Sequence, residues 1–378
     1  MLMGAMDELI NPNLVAELRG IFHASHPLST RRLPEWRALE NSRAALGNRP
    51  LRARVDTVRD AIIEDIGHDF DLLTDVVDRS LQQDRFKGWM IWPVTEAVAQ
   101  LAVDASAAET DQAAPGAFEA GLELMRKLTS RLSAEFALRI FLNADAARTI
   151  DIVTTWCSDP DEHVRRLASE GTRSYLPWAR QVTELHLRPT LTVPIIDALY
   201  RDDSTYVRRS VGNHLNDLSR RHPELAVEIG KRWLAAPDRN TEALVKRAFR
   251  TLIKVGDAGA LSALAFGGDA EVIGPLLDRR SLRVGEDIEV RAILTNTGSA
   301  RTRLAVDFVV NYRKARGQTA PKVFKMATVN LDPGETTELT KRRSFAPVNT
   351  RVLYPGAHSI ELQVNGRRHG AAEFELLG

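Results

Sequence analysis

The stretch DPDEHVRRLASEGT, residues 159–172, has a second copy 43 residues later in DDSTYVRRSVGNHL, residues 202–215. A third copy, DRNTEALVKRAFRTLIK, begins at residue 238. Each copy opens with acidic residues, which suit the positive end of a helix. An apolar–basic–basic triplet then follows in each copy: Val164-Arg165-Arg166, Val207-Arg208-Arg209 and Val245-Lys246-Arg247. A repeat of about 40 residues is typical of stacked pairs of helices.

The spacing of apolar residues in the sequence changes near a pair of glycines, Gly267 and Gly268. Before this pair, from about residue 8, apolar residues recur at helical spacing. After it, from about residue 271, apolar and polar residues alternate with the period of a β-strand. We therefore predict an all-α HEAT-like helical-repeat solenoid over residues 1–268. A small all-β Ig-like sandwich domain is predicted over residues 269–378.

Composition sets limits on the class of protein. The chain has 378 residues, of which 44% are hydrophobic and 27% charged, so it can form a core. No run of about 18 apolar residues could span a membrane, and the N-terminus lacks the basic-then-apolar order of a secretory signal. The single cysteine, Cys157, excludes a disulfide within the chain. We expect a cytoplasmic protein.

The helical period separates two faces on each repeat. Val164, Leu167 and Ala168 form an apolar stripe that we expect to pack against neighbouring helices. Arg166, Glu170 and Arg173 form a charged stripe, which we expect to face away from that core. The equivalent positions are Arg209, Asn213 and Asn216, with Asp217 beside them, in the second copy, and Arg247, Thr251 and Lys254 in the third. Stacked repeats should align these stripes into one concave, mostly basic track.

A row of basic residues at repeat spacing suits a phosphate backbone, because phosphate contacts supply most non-specific affinity for nucleic acids. The same row could also bind an acidic protein surface. Charge does not decide between them, since residues 1–268 have a net charge of −3 and residues 269–378 a net charge of +4. A basic surface on the helical part must therefore come from segregation of charges.

Three acids are predicted to lie on successive inner helices, namely Glu135, Glu170 and Asp217. A surface that only holds polyanions should exclude carboxylates, because each one repels phosphate. One account is that Glu170 simply pairs with Arg166 and Arg173, which would contribute about 0.2–0.5 kcal/mol per pair. The other account is that the carboxylates perform chemistry.

The remaining candidates for chemistry are few. Trp178 follows a proline, and a tryptophan in that position is more often a packing anchor than a site residue. Helical spacing favours a core position for Trp89 and Trp92. His163 and His214 are expected on helix surfaces, without the partner spacing of a zinc site. The chain contains no HExxH, GxxxxGK[ST], GxGxxG or GxSxG motif. These absences argue against nucleotide hydrolysis, dinucleotide chemistry and serine-hydrolase chemistry.

Three stretches resemble the AlkC-type alkylpurine DNA glycosylases of the HEAT-like-repeat superfamily. They are RFKGWMIWPVTEAVA (85–99), SAEFALRIFL (133–142) and DEHVRRLASEGTRSYLPWA (161–179). The resemblance covers essentially the whole chain, including an Ig-like C-terminal module. It implies excision of cationic alkylated bases, such as 3-methyladenine and 3-methylcytosine, from double-stranded DNA. It also implies that the lesion is approached through the backbone, without a deep base pocket.

The resemblance also implies roles for individual residues. Glu170 matches the principal catalytic carboxylate, Glu135 and Asp217 match nearby acids, and Trp178 matches an aromatic residue that packs at the lesion. The predicted DNA-binding residues are Arg166, Arg173, Arg209, Asn213, Arg247, Lys254, Lys314 and Arg316, the last two from a basic loop at 311–322. Neither a cofactor nor a metal is expected, and no partner subunit is needed. The competing interpretation is a non-catalytic HEAT-repeat scaffold that binds DNA or a protein.

Overall fold

The computed structural model describes residues 6–25, 34–108, 116–347 and 352–378. The chain divides into two compact units, Met1–Arg221 and His222–Gly378. The helices of the first unit are α1 (Pro12–Ala24), α2 (Arg37–Ala45), α3 (Leu51–Ile66), α4 (Phe70–Ser80), α5 (Ile91–Ala108), α6 (Ala117–Leu128), α7 (Leu138–Ala144), α8 (Ala146–Thr155), α9 (Glu162–Gly171), α10 (Glu184–Leu187), α11 (Val193–Leu199) and α12 (Thr205–Leu218).

The second unit begins with four helices and continues as β-strands. The helices are α13 (Pro223–Ala235), α14 (Thr241–Ala248), α15 (Arg250–Val255) and α16 (Ala258–Ala263). The strands are β1 (Ala270–Leu277), β2 (Ser281–Arg283), β3 (Asp287–Asn296), β4 (Thr302–Arg313), β5 (Thr319–Leu331), β6 (Thr336–Ser344), β7 (Gly356–Val364) and β8 (Arg367–Leu377). The predicted change from helix to strand near Gly267 is confirmed.

The division into compact units falls at a different place from the predicted domains 1–268 and 269–378. Four helices belong to the same unit as the strands, although two of them, α14 and α15, come from the third copy of the repeat. The predicted boundary separates types of secondary structure, whereas the observed division separates packed bodies. As a domain boundary, 268/269 remains a prediction.

The three sequence repeats form α9, α12 and α14, as predicted. Their first turns are capped in different ways. The Asp161 side chain accepts from the His163 amide before α9, whereas the Ser204 hydroxyl caps α12. Asn240 precedes α14 without a side-chain cap, while Asp238 accepts from the Asn240 amide and the Thr241 hydroxyl. The expectation of an acidic cap on all three helices is therefore wrong for α12 and α14.

The apolar stripe of α9 is buried as predicted, because Val164, Leu167 and Ala168 have almost no exposed surface. Helix α12 packs against α9, and α11 contacts both helices. Gly171 lies where α9 meets α7, and a Cβ atom there would come within 2.5 Å of Leu138 Cδ2. Trp92 is in the core as expected. None of the described helices is long and apolar enough to cross a bilayer.

The strands form two sheets, a three-stranded sheet in the order β1-β3-β6 and a five-stranded sheet in the order β2-β8-β7-β4-β5. Alternate residues of β3 are buried, as the period of two predicts, and they pack with Phe308, Phe345 and Ile360 in one core. The predicted Ig-like sandwich is confirmed. The predicted basic loop at 311–322 is mostly strand, since only Lys314–Gln318 form the turn between β4 and β5.

Two glycines join the helical and β parts of the second unit. Gly256, after α15, and Gly366, in the β7–β8 turn, both have positive φ angles and lie backbone to backbone. A Cβ atom built on Gly256 would lie 2.9 Å from the Gly366 Cα atom. Close approach of two chains at such a point requires residues without side chains. Helix α15 therefore touches the hairpin turn directly.

Candidate functional site

Five charged side chains from separate segments form one continuous row in the first unit. Glu135 precedes α7, Arg166 and Glu170 lie on α9, Arg173 follows α9, and Asp217 lies on α12. We call these residues the acid–arginine row. Arg166 Nη1 lies 2.5 Å from Glu135 Oε2, and Arg166 Nη2 lies 3.6 Å from Glu170 Oε1.

Arg173 continues the row between the two remaining carboxylates. Its Nη1 lies 2.5 Å from Glu170 Oε1, and its Nε donates to Asp217 Oδ2 at 2.7 Å. The three acids singled out in the sequence are thus brought together by two arginines. One detail differs from expectation, because Glu135 is in the turn before α7 and not on a helix.

Most of the acid–arginine row is buried, and this corrects the expectation that the charged stripe faces away from the core. Glu170 is 7% exposed, Arg173 8% and Asp217 0%. The segment after α9 contributes to this burial, since the Tyr175 carbonyl accepts from Arg173 Nη2 at 3.5 Å. Arg173 bridges two carboxylates and is therefore not an open phosphate ligand in this structure.

The charges around Glu170 decide its protonation state. Burial alone raises the pKa of the Glu170 carboxyl group, but the positive charges of Arg166 and Arg173 outweigh burial and hold the pKa below its ordinary value. A hydrogen bond with Ser210 acts in the same direction. Glu170 is consequently an anion at neutral pH, held in place from both sides.

Glu135 is more accessible than the other two acids. The Ser133 hydroxyl donates to Glu135 Oε2 at 2.9 Å and accepts from Arg166 Nη1 at 2.7 Å. The Arg166 guanidinium also lies 5.3 Å from the centre of the Tyr206 ring. The accessible end of the row is therefore built by Ser133, Glu135, Arg166 and Tyr206.

His214 joins α12 to α9 and was misplaced on a helix surface by the sequence pattern. The ring is buried, which lowers its pKa to about 4, so it is neutral at physiological pH. Its Nδ1 donates to the Ser169 carbonyl at 2.9 Å, and its Nε2 accepts from the Thr192 hydroxyl at 2.9 Å. Ser169 lies one residue before Glu170, and His214 lies three residues before Asp217. The hydrogen bond between them therefore fixes the spacing between the two acids.

Arg139 is a second residue that the sequence pattern did not single out. The residue is 1% exposed, and its guanidinium group donates hydrogen bonds to backbone carbonyl oxygens. Nη1 donates to the Gly171 carbonyl at 3.2 Å and to the Arg173 carbonyl at 2.7 Å, and Nε donates to the Arg180 carbonyl at 3.1 Å. Arg139 therefore holds both ends of the segment 172–179. The sequence signal was the arginine in the apolar run ALRIFL, where an unpaired cation would be costly.

Trp178 lies in the segment that Arg139 holds. The side chain is 71% exposed, and the backbone is left-handed with φ of 65°. The interpretation of Trp178 as a packing anchor is therefore wrong. A large apolar side chain is kept in solvent on a backbone that L-residues rarely adopt, which is a pattern found at functional sites.

The other predicted DNA-binding residues are more exposed than Arg173. Arg209 is exposed on α12 and Asn213 is half-buried one turn later. Arg247, Lys254, Lys314 and Arg316 are exposed and belong to the second unit. Within the described part of the chain, no group of three His, Cys, Asp or Glu side chains is arranged to hold a metal ion.

Comparisons with known proteins agree over both parts of the chain. Residues 126–243 match the family described as "DNA alkylation repair enzyme". Residues 271–378 match the family described as "Uncharacterised protein YhaZ, C-terminal Ig-like domain". The uncharacterized protein YhaZ of Bacillus subtilis (strain 168) is 33% identical over 261 residues, which cover 68% of this chain and 72% of that protein.

A solved structure is similar over the full length. It is the Pseudomonas fluorescens alkylpurine DNA glycosylase AlkC bound to DNA containing an abasic site analog, with 30% sequence identity and a TM-score of 0.82. The match covers 99% of this chain and 100% of that chain. The similarity therefore includes the helices of both units and the sandwich.

Proposed function

This chain belongs to the family of DNA alkylation repair enzymes, in the AlkC-type group with an Ig-like C-terminal domain, and on that basis we propose that it is an alkylpurine DNA glycosylase. The reaction is hydrolysis of the N-glycosidic bond of cationic alkylated bases in duplex DNA. The substrate class includes 3-methyladenine and 3-methylcytosine. The acid–arginine row is the observation that carries this proposal.

The chemistry of a cationic base explains why carboxylates suffice. A base with a positive charge departs as a neutral molecule, so a general acid is dispensable. The sugar left behind develops positive charge and needs a nearby anion and an oriented water molecule. An ionised carboxylate supplies the electrostatic stabilisation, and a second carboxylate orients the water. Neither task requires a metal or a cofactor.

Glu170 is the carboxylate that we assign to stabilisation of the sugar cation. Arg166 and Arg173 keep it ionised and fix its Oε1 atom. A preorganised anion of this kind needs little rearrangement when charge develops in the transition state. The arginines therefore serve first to prepare Glu170, and Arg166 can contact a phosphate only from its accessible edge.

Glu135 and Asp217 receive different roles from their accessibility. Glu135 is at the accessible end of the row, and we assign it to the water molecule. Asp217 has no exposed surface, so it acts through Arg173, whose Nε it accepts from. Asp217 is then a positioning residue, while Glu135 and Glu170 face the substrate.

Trp178 and the exposed cations complete the proposed contact with DNA. The exposed indole offers a π-face to the damaged, positively charged nucleotide, and cation–π attraction is strongest with tryptophan. We assign Arg209, which is exposed, and Asn213, which is half-buried, to contacts with the DNA backbone. The lesion is approached from the backbone side and does not enter a deep pocket. The enzyme is expected to act as a cytoplasmic monomer.

The Glu170→Gln variant tests the proposal. Glutamine keeps the shape but removes the charge, so we expect affinity for duplex DNA to stay within about threefold while base release falls by at least ~100-fold. The measurement is incubation with methylated DNA, followed by chromatography of the released bases. Glu184→Gln, at a surface pair with Arg188, is the matched control and should release bases normally.

Arg209→Ala should show the opposite pattern. Binding should weaken for all DNA sequences, and the salt dependence should lose about one unit of slope, because one phosphate contact is removed.

Normal base release by Glu170→Gln would show that another acid is the principal one. Absence of both DNA binding and base release in the unmodified protein would favour the protein-binding scaffold.

A further inference from the structure

Four cations line a small cleft in the second unit, together with apolar side chains and one acid. It lies between the α14–α15 segment and strands β4 and β5, and its volume is about 80 Å³. This is well below the ~300 Å³ at which pockets for drug-sized ligands begin, so the cleft suits a small group and not a base. Its charged lining residues are Lys246, Arg250, Lys254, Asp307 and Lys325.

Three of these cations lack an acidic partner. Among the residues that the structure describes, no carboxylate lies within ion-pairing distance of the Lys246, Lys254 or Lys325 ammonium groups. Burial lowers the pKa of Lys246, and the positive charges of Lys325 and Arg303 act in the same direction, whereas Glu242 acts in the opposite direction. Several cations kept close together around a single carboxylate favour the binding of an anion.

Asp307 is the one acid that lines the cleft, and it offsets the positive charge only when it is ionised. Its side chain is buried on β4, and burial raises its pKa to about 6, although Lys254 and Lys325 act in the opposite direction. The neighbour across from it on β7 is the uncharged Gln363. The cleft therefore gains about one positive charge as pH falls through 6.

The cleft is held in shape by contacts between helix and sheet. Lys246 Nζ donates to the Thr328 hydroxyl on β5 at 3.3 Å. Gln363 Nε2 on β7 donates to the Lys254 carbonyl at 2.7 Å. Arg303 Nη1 on β4 donates to the Leu264 carbonyl at 3.0 Å. Both walls are thus fixed without any ligand.

We propose that this cleft binds a phosphodiester group of duplex DNA, and that Asp307 weakens this binding when it is ionised. The inference rests on the proposed function for the identity of its anion. Lys246, Arg250 and Lys254 recur every four residues, so they extend along one side of the α14–α15 segment. Lys254 and Lys325 are exposed, whereas Lys246 and Arg250 are half-buried. Exposed cations on flexible stems suit a phosphate on a polymer, whose affinity comes from release of counterions.

Asp307 makes the affinity depend on pH in a defined direction. Its folded pKa lies above its ordinary value, so between these two values the folded protein carries the neutral form. Above about pH 6 the carboxylate forms and repels phosphate across the cleft. Binding should therefore strengthen as pH falls through 6, and an uncharged residue at position 307 should remove that part of the pH dependence.

The experiment measures binding of undamaged duplex DNA by full-length variants, so it does not depend on base release. Lys254→Ala/Lys325→Ala should weaken binding about tenfold and lower the salt slope by about one unit, because the two lysines share one phosphate. Asp307→Asn should bind roughly fivefold more tightly at about pH 8 and equally at about pH 5. Lys231→Ala, at an exposed position on α13, is the matched control.

The outcomes separate the sources of the anion. Unchanged affinity and salt slope in the double-lysine variant would overturn the proposal. A second result would also overturn it. If both proteins bound DNA equally, and millimolar inorganic phosphate stabilised only the unmodified protein against heating, the cleft would bind free phosphate and not DNA. If DNA binding responds as stated while no base is released, the cleft stands and the glycosylase proposal fails. Thermal unfolding of each variant confirms that the exposed substitutions leave the fold intact.

Discussion

At the scale of single residues, Trp178 shows what a sequence pattern could and could not reveal. The sequence shows that it follows Leu176-Pro177, but whether a tryptophan there packs in the core or extends into solvent depends on its backbone conformation. The left-handed conformation decides the outcome by turning the indole into solvent. For Glu170, helical spacing correctly identified its two arginine partners, Arg166 and Arg173. The same spacing wrongly predicted that these side chains are exposed to solvent. Burial depends on the segment 172–179, which no helical period describes.

Replacing Trp178 should separate stability from activity. We expect Trp178→Gly to be at least as stable as Trp178→Ala, because a left-handed residue other than glycine costs roughly 1–2 kcal/mol, which exceeds the extra chain entropy of glycine. Both variants should release bases more slowly than the unmodified protein. The measurements are denaturant unfolding and the rate of base release. Loss of stability by several kcal/mol in both variants would restore the packing interpretation.

At the scale of elements, the repeat predicted α9, α12 and α14 correctly because their apolar spacing is regular. It predicted the connections between them poorly. The buried cross-links from Arg139 and His214 join α7, α9 and α12, and each depends on a carbonyl oxygen that becomes free at a helix end or accepts a second bond. Such contacts are set by the packing of neighbouring helices. They leave only a weak trace in the sequence, such as one arginine in an apolar run.

Arg139→Met should disturb the proposed reaction more than it disturbs DNA binding. The change leaves buried carbonyls without donors, which costs about 1–3 kcal/mol each, and it releases both ends of the segment that carries Trp178. We expect the maximal rate of base release to fall more than tenfold with a smaller change in KM. Arg139→Lys should recover part of the rate. Equal losses of rate in both variants, at equal stability, would contradict a positioning role.

At the scale of the whole molecule, the change from helix to strand could be read from the sequence, whereas the division into packed bodies could not. Deleting residues 271–378 would remove the strands but leave α13–α16, which pack in the same unit. Loss of DNA binding in such a truncated protein would not identify a contact. Point substitutions at the turn between β4 and β5 are therefore the better test of the sandwich as a second DNA contact.

Lys314→Glu/Arg316→Glu should weaken DNA binding by about tenfold or more, because two exposed cations become two anions near phosphate. Lys314 and Arg316 lie in the turn, so the fold should be unaffected. Lys341→Glu/Arg342→Glu on β6 makes the same change in net charge elsewhere in the sandwich. Equal weakening by both pairs, measured as a function of salt, would show a general charge effect in place of a contact at the turn.

The contact between Gly256 and Gly366 limits how this protein could be assembled from parts during evolution. A gene fusion that delivered only the strands would place the bare Gly366 turn against a foreign helix end, and most side chains there would collide with it. A segment beginning near His222 would carry both glycines together. A segment that preserves this contact is therefore longer than the Ig-like sequence alone, and we expect recombination breakpoints in related genes to cluster before α13.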